Sequence, residues 1–121
     1  MTTTDEVLTE DLPLTTYGRT PATCARLTRM WREAHRSGSL QVAALRASDF
    51  YGPGVTRSVF GEQTLGRIAQ GKPVKCVGDF DQVHSVSYVP DVARGLVSLG
   101  EAGDEAMGQA WHVPNAPDRT L

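Results

Sequence analysis

The apolar positions of this chain repeat at two different spacings, and their alternation predicts an α/β fold. One stripe recurs every third or fourth residue and predicts a helix: Cys24, Leu27, Trp31 and Ala34. Thr20 is the expected N-cap, Pro21 the first helical residue, and Gly38 a left-handed cap at the end. The nearly all-apolar run 40–45 follows and predicts a strand buried on both faces of a parallel sheet.

The rest of the chain continues this rhythm. Residues 48–54 are rich in turn formers and predict a loop at the carboxyl end of strand 40–45, where open α/β sheets bind ligands. A helix is expected over 56–70, closed by Gly71, with inward positions Val59, Phe60, Leu65 and Ile68. The remaining expectations are a strand at 73–77, a turn at 78–81, an extended piece at 86–89, a helix over 90–99 capped by Gly100, and a strand at 110–113.

The length of 121 residues and the ordinary polarity indicate one domain at most. Residues 1–16 are Thr-rich and contain Pro13, which predicts a flexible N-terminal loop, and residues 17–121 are expected to form the domain. The 12 basic and 14 acidic residues leave a net charge of −2 without a basic patch. We therefore expect neither a nucleic-acid nor a membrane partner.

The cysteines and histidines do not indicate a metal site. Cys24 and Cys76 are far apart and do not form a disulfide pattern, and the chain starts without a secretion signal, so a cytoplasmic location is expected. His35, His84 and His112 do not combine with the cysteines at zinc-ligand spacing, so no metal site is predicted.

Four sequence blocks occur in a fixed order along the chain. They are Thr-Glu-Asp-Leu-Pro-Leu (9–14), Arg-Ala-Ser-Asp-Phe-Tyr-Gly-Pro-Gly (46–54), the segment from Gly-Asp-Phe-Asp to Asp-Val-Ala (78–93) and Gly-Gln-Ala-Trp-His-Val (108–113). Together they resemble the C-terminal part of the NAD-dependent epimerase/dehydratase family, the extended short-chain dehydrogenases/reductases. The resemblance extends over about residues 9–115.

The resemblance implies a fold, a chemistry and a cofactor. The implied fold is the C-terminal portion of a Rossmann-like parallel sheet with a small α/β substrate-binding subdomain, the N-terminal dinucleotide-binding half being absent. The implied activity is that of an oxidoreductase or isomerase acting on a sugar-like or small oxygenated metabolite through NAD or NADP. Because the chain has no G-x-x-G-x-x-G turn, we expect that it does not bind the cofactor alone, and its cofactor-binding residues remain unknown.

Tyr17 is the catalytic candidate that the resemblance implies. The family carries a lysine four residues after its tyrosine, whereas this chain has Pro21. A proline ring cannot stabilise a phenolate, and it lacks the N–H that would bond to the carbonyl of residue 17. We therefore expect the helix to start after Tyr17, and two interpretations stay open: a remnant acid/base group or an ordinary loop tyrosine.

The substrate-binding candidates are Asp49, Tyr51, His84 and Tyr88, which are expected to face one cavity. His84 stands where the family often carries an arginine that clamps a diphosphate. Because histidine lacks the bidentate charged fork, a neutral or singly charged metabolite is expected. The structural alternatives are a turn-forming role for Asp49 and a packing role for Tyr51.

Two hypotheses about function follow. The first is a truncated or degenerate family member that is inactive alone. The alternative is the substrate-binding half of a split enzyme that assembles with a separate N-terminal polypeptide. A homodimer through the helix after Tyr17 is a further possible assembly, and the apolar edge of strand 40–45 favours pairing with another chain.

Overall fold

The computed structural model describes residues 9–15, 17–75, 81 and 83–115. In chain order its elements are α1 (Arg19–Arg36), β1 (Ala44–Arg46), β2 (Asp49–Tyr51), α2 (Glu62–Ala69), β3 (Val86–Tyr88), α3 (Val89–Glu101), a 3₁₀ turn (Asp104–Ala106) and β4 (Ala110–His112). Strand β1 pairs with β4 and β2 pairs with β3, and both pairs are parallel. The predicted α/β class with parallel strands is therefore confirmed.

The chain divides into two compact units. The first unit contains the described residues of Ala47–Val97 and Val113–Leu121, and the second contains those of Asp5–Arg46 and Ser98–His112. Each unit has its own two-stranded parallel sheet, β2–β3 in the first and β1–β4 in the second.

Helix α1 starts and ends close to the predicted residues. It begins at Arg19, so Tyr17 lies outside it, as the proline at position 21 led us to expect. The predicted Thr20 cap is wrong, because Gly18 occupies the N-cap position and no side chain caps the helix. Pro21 is still tolerated, since the first four N–H groups of a helix lack intrahelical partners. At the other end Gly38 has φ 76°, which confirms the left-handed cap.

The buried face of α1 lies one residue away from the predicted stripe. Cys24 and Leu27 are exposed, whereas the next residue after Cys24, Ala25, is buried and Thr28 is half-buried. The predicted inward positions of Cys24 and Leu27 are therefore wrong, although Trp31 and Ala34 are half-buried.

Strand β1 is shorter than the strand predicted over 40–45 and begins later. The reason is that the backbone N–H groups at the start of that segment bond to the end of α1. The N–H groups of Ser39 and Leu40 both donate to the carbonyl of Ala34, at 3.0 and 3.2 Å. Further on, the N–H of Val42 faces the Nδ1 atom of His35. Consequently only Ala44–Arg46 joins a ladder, all three residues are half-buried, and Leu40 is 57% exposed.

Helix α2 is shorter than predicted because the chain turns around Gly61 first. Gly61 is buried, and a side chain there would lie within 3.1 Å of three backbone carbonyl oxygens. The Glu62 N–H closes this turn by donating to the Val55 carbonyl at 2.7 Å. The predicted inward positions of Leu65 and Ile68 are wrong, since both are exposed.

The remaining elements differ from their predictions in detail. Segment 48–54 is not wholly a loop, because β2 forms within it. Residues 73–75 are not in a strand, while the rest of the predicted strand 73–77 and the turn residues 78–80 lie outside the described residues. Gly100 lies inside α3 instead of capping it. Strands β3 and β4 each end one residue before the predicted position.

A fully buried hydroxyl fixes the β2–β3 pair. Ser87, the middle residue of β3, is 0% exposed. Its Oγ accepts the Ser48 N–H at 3.0 Å, lies 3.0 Å from the Ser48 hydroxyl and donates to the Asn115 Oδ1 at 2.8 Å. Because the buried hydroxyl has all its partners in this arrangement, the pairing of Phe50 with Ser87 is strongly preferred.

In the second unit, Glu10 connects the segment before α1 to both strands. Its Oε1 accepts the His112 N–H at 2.9 Å, and its carbonyl accepts the Arg46 Nη1 at 3.3 Å. The hydrogen bond from the His112 backbone N–H lowers the pKa of Glu10 below its ordinary value. Nearby, a hydrogen bond from the Thr9 side chain lowers the pKa of Asp11.

The lowered pKa of Glu10 predicts an acid-sensitive second unit. A carboxyl group with a depressed folded-state pKa stabilises the fold above its unfolded-state pKa of about 4.3, and the contribution is lost as pH falls through the folded value. We expect Glu10→Gln to reduce the fall in unfolding free energy between about pH 5 and pH 3, measured by urea unfolding. Glu101→Gln, in α3, is the matched control. An equal pH dependence in wild type and Glu10→Gln would contradict this assignment.

Candidate substrate-binding site

The structure brings Asp49 and His84 into direct contact. The His84 Nε2 and the Asp49 Oδ2 are 2.8 Å apart. Asp49 is the first residue of β2 and pairs with Val86, so the parallel register carries the segment just before β3 alongside it. The side chains of Asp49 and His84 are 47% and 41% exposed, respectively, so both remain accessible to a solute.

Tyr51 and Tyr88 are direct register partners one step further along the same strands. Their ring centroids are 5.2 Å apart and the planes are tilted by 36°, within the usual range for aromatic pairs. Gly52 follows with φ 116°, and a Cβ at this position would be 2.8 Å from the Tyr88 ring. The glycine therefore allows the Tyr88 ring to lie against the backbone.

The four predicted substrate-binding residues form one cluster, which we call the Asp–His–Tyr cluster: Asp49, Tyr51, His84 and Tyr88. Side chains two residues apart on a strand share a face, which places Asp49 beside Tyr51. The next strand carries their partners on the same face, while Ser87 alternates to the buried side. Asp49 contacts His84 and Tyr51 contacts Tyr88, whereas a shared cavity and a role in substrate binding stay predictions.

The chemistry of the Asp–His–Tyr cluster combines polar groups with a flat apolar surface. The carboxylate accepts hydrogen bonds, while the imidazole and the phenols both donate and accept them. The contact with Asp49 orients the His84 ring through Nε2. A small hydroxylated molecule matches such a combination, because its hydroxyls need partners at the edge of an aromatic surface.

Tyr17 lies in the second unit and is 93% exposed. None of the described residues forms a hydrogen bond with its hydroxyl, and Pro21 occupies the fourth position after it. An acid/base tyrosine needs a neighbouring group that tunes its pKa. The surroundings of Tyr17 therefore do not favour catalysis, and its catalytic role stays a prediction.

The N-terminal end of α3 does not fit the pyrophosphate of a dinucleotide. Helix α3 directly follows strand β3, which is the arrangement that seats a pyrophosphate in dinucleotide-binding folds. Its first turn, however, contains Pro90 and Asp91 without a glycine turn before it. Pro90 lacks an N–H donor, and the Asp91 carboxylate repels a phosphate. The start of α3 therefore lacks the donors that would bind the NAD pyrophosphate.

Two further features are absent from the described part of the chain. Over residues 9–15, 17–75, 81 and 83–115, no three side chains among His, Cys, Asp and Glu cluster in a way that would hold a metal ion. Within the same residues, each helix is too short or too polar to cross a bilayer.

The sequence did not predict the polar residues that form hydrogen bonds with Ser87 in β3. Ser48, Ser87 and Asn115 form a polar network in which Ser87 is buried, with the Asn115 amide also donating to the Ser48 hydroxyl at 3.3 Å. One signal was present: Ser87 is a lone small polar residue between Val86 and Tyr88 in an otherwise apolar strand. Its partner Asn115 is 28 residues away, beyond the reach of any local pattern.

These observations define an α/β protein with parallel strand pairs and a polar, aromatic cluster beside one of them. The family model for the NAD dependent epimerase/dehydratase family matches residues 2–113. The chain therefore belongs to this family, which confirms the resemblance seen in the sequence blocks, and NAD(P) is the cofactor that the family implies. A comparison with curated proteins produced no significant match.

The contact between Gly52 and Tyr88 gives a stability prediction. We expect Gly52→Ala to lower the unfolding free energy by about 1–3 kcal/mol, because the new Cβ would be strained at positive φ and would overlap the Tyr88 ring. Urea unfolding measures the change. The control is Gly66→Ala in α2, where a Cβ meets no neighbour and helix propensity predicts a gain of about 0.5–1 kcal/mol. Equal effects of both substitutions would contradict the close packing at Gly52.

Proposed function

We propose that this chain forms the substrate-binding part of an epimerase/dehydratase, with a parent activity of NAD(P)-dependent redox or epimerisation of a sugar-like or small oxygenated metabolite. The observation that carries the proposal is the contact between Asp49 and His84 beside the Tyr51–Tyr88 pair. In this arrangement the cluster hydrogen-bonds substrate hydroxyls while the rings contact the carbon skeleton.

The preferred ligand in this proposal is neutral or carries a single charge. The Asp49 carboxylate contributes a negative charge next to His84, which repels a diphosphate. An arginine at position 84 would supply the planar fork that binds two phosphate oxygens at once. The present residue pair therefore favours hydroxyl groups over a diphosphate-linked sugar.

His84→Arg tests this ligand preference. We expect the substitution to tighten UDP-glucose binding by about tenfold relative to glucose binding, because charge-assisted bidentate hydrogen bonds replace a single one. Titration of labelled protein followed by NMR measures both ligands, with Arg57→Lys, in the turn before α2, as the surface control. The wild type should show shifts at Tyr51 and Tyr88 with glucose. If the wild type bound UDP-glucose more tightly than glucose, the proposed ligand preference would be contradicted. If glucose shifted signals away from the Asp–His–Tyr cluster, the proposed site would be contradicted.

We also propose that this chain alone does not catalyse the family reaction. Hydride transfer requires a nicotinamide held against the substrate, whereas the start of α3 does not fit the pyrophosphate of such a cofactor and the sequence contains no G-x-x-G-x-x-G turn. Tyr17 also has Pro21 where the family has its lysine. A degenerate member of the family that retains a substrate surface is consistent with both features.

A split enzyme is the second candidate, and the thin core supports it. Among the described residues, the buried apolar side chains are only Ala25, Ala106, Ala110 and Val113, whereas eleven large hydrophobic residues are exposed. Parallel strands usually lie inside larger sheets, yet β1 pairs only with β4 in the described part. A separate N-terminal polypeptide that adds a strand beside β1 would cover such surfaces and supply an acceptor for Arg46, whose buried Nη2 has no hydrogen-bond partner among the described residues.

The remaining parts of the proposal concern assembly and location. A homodimer through α1 is an alternative way to cover the exposed Leu27 and Met30. We place the protein in the cytoplasm, because a reducing compartment preserves the free, exposed thiol of Cys24. Nucleic acids and membranes are not among the proposed partners, since the net charge of the chain is −2.

Calorimetry with NAD, NADH, NADP and NADPH tests the cofactor part of the proposal. We expect no binding at micromolar concentrations by the purified chain, because it lacks a glycine-rich turn. Micromolar binding would contradict the proposal. For the split-enzyme candidate, the chain is co-expressed with a polypeptide carrying the G-x-x-G-x-x-G turn, with and without Pro21→Lys. Nicotinamide reduction only with the lysine supports a lost catalytic pair, whereas turnover without it would contradict the role given to Pro21.

A further inference from the structure

The second unit contains a groove whose lining residues are not among the catalytic or substrate-binding candidates. It is open to solvent and has a volume of about 390 Å³. The end of α3, the 3₁₀ turn and β4 form its walls: Ser98, Leu99, Ala102, Glu105, Ala106 and Trp111. All six residues belong to the second unit.

Trp111 provides the main surface of the groove. Its indole Nε1–H donates to the Ala106 carbonyl at 3.0 Å, which satisfies the only polar group of the side chain and fixes the ring. The residue nevertheless remains 40% exposed. A fixed aromatic ring with a satisfied N–H offers its π surface, and such surfaces attract both apolar groups and cations.

The electrostatics of the groove favour a positive ligand. Glu105 is its one charged lining residue, and this carboxylate forms no ion pair with the described residues. Helix α3 also ends at the groove without a basic residue in its last turn. The C-terminal end of a helix carries the negative end of its dipole, so the backbone adds to the attraction.

We propose that this groove binds a small organic cation with an apolar body, such as an arylalkylammonium ion. The apolar body contacts Leu99, Ala102 and Trp111, while the ammonium group is placed near Glu105 and the end of α3. A neutral apolar ligand would gain the first contacts only, and an anion would be repelled by the carboxylate. The proposal is independent of the substrate proposed for the Asp–His–Tyr cluster.

NMR with 2-phenylethylammonium tests the proposal, and the isosteric 2-phenylethanol serves as the neutral comparison. The chain has two tryptophans, so the Trp111 indole signal is assigned by its loss in Trp111→Phe, and Trp31 is an internal reference. We expect saturable shifts at the Trp111 indole and at the Ala102 amide, with a dissociation constant of about 1–5 mM for so small a ligand. The alcohol should bind about threefold more weakly or worse.

Two charge variants separate a specific site from general attraction. Glu105→Gln should weaken the ammonium ligand about threefold and leave the alcohol unchanged. Asp104→Asn, one residue before Glu105 but outside the groove lining, should change neither ligand. The proposal would be overturned if the two ligands bound with equal affinity or if both variants had equal effects. Shifts at Trp31 instead of Trp111 would also overturn it. No saturation below about 20 mM would overturn it as well.

Discussion

The parallel register between β2 and β3 is the constraint on which the geometry of the first unit depends. Phe50 pairs with Ser87, and the Ser87 hydroxyl is fully buried between Ser48 and Asn115. Since side chains alternate between the two faces of a strand, a shift by one residue would move this hydroxyl to the opposite face. Ser48 and Asn115 would then lose the hydrogen bonds that they form with it, each of which contributes about 0.5–1.5 kcal/mol. A small polar residue in an apolar strand thus determines which side chains appear on the accessible face.

The candidate site is a consequence of that register. Once Ser87 points inward, Tyr88 lies beside Tyr51, and the chain before β3 brings His84 to Asp49. Gly52 completes the arrangement by leaving room for the Tyr88 ring. By contrast, the exposed Tyr17 has a proline where its family carries a lysine. The contacts among Asp49, Tyr51, His84 and Tyr88 thus agree with the proposed substrate surface, while Tyr17, the proposed proton-transfer residue, lacks the lysine of its family.

Sequence patterns predicted the features that depend on local chemistry. The end of α1 at Gly38, the exclusion of Tyr17 from that helix and the positions of β3 and β4 all follow from glycine, proline and short apolar runs. Family resemblance placed Asp49 and His84 at one site, and they are in contact. The patterns did not predict where β1 starts, because the backbone groups of residues 39 and 40 bond to the end of α1. They also misplaced the buried face of α1, since the chain has more apolar positions than the described fold covers.

Backbone nuclear Overhauser effects across β2 and β3 test the central claim most directly. In uniformly labelled protein, the account predicts cross-strand contacts of a parallel pair that align Phe50 with Ser87 and Tyr51 with Tyr88. The same spectra should show the Ser48 amide close to the Ser87 side chain, as their 3.0 Å hydrogen bond requires. Contacts that instead align Phe50 with Val86 or with Tyr88, or an antiparallel pattern, would contradict the register and with it the assembly of Asp49, Tyr51, His84 and Tyr88 into one site.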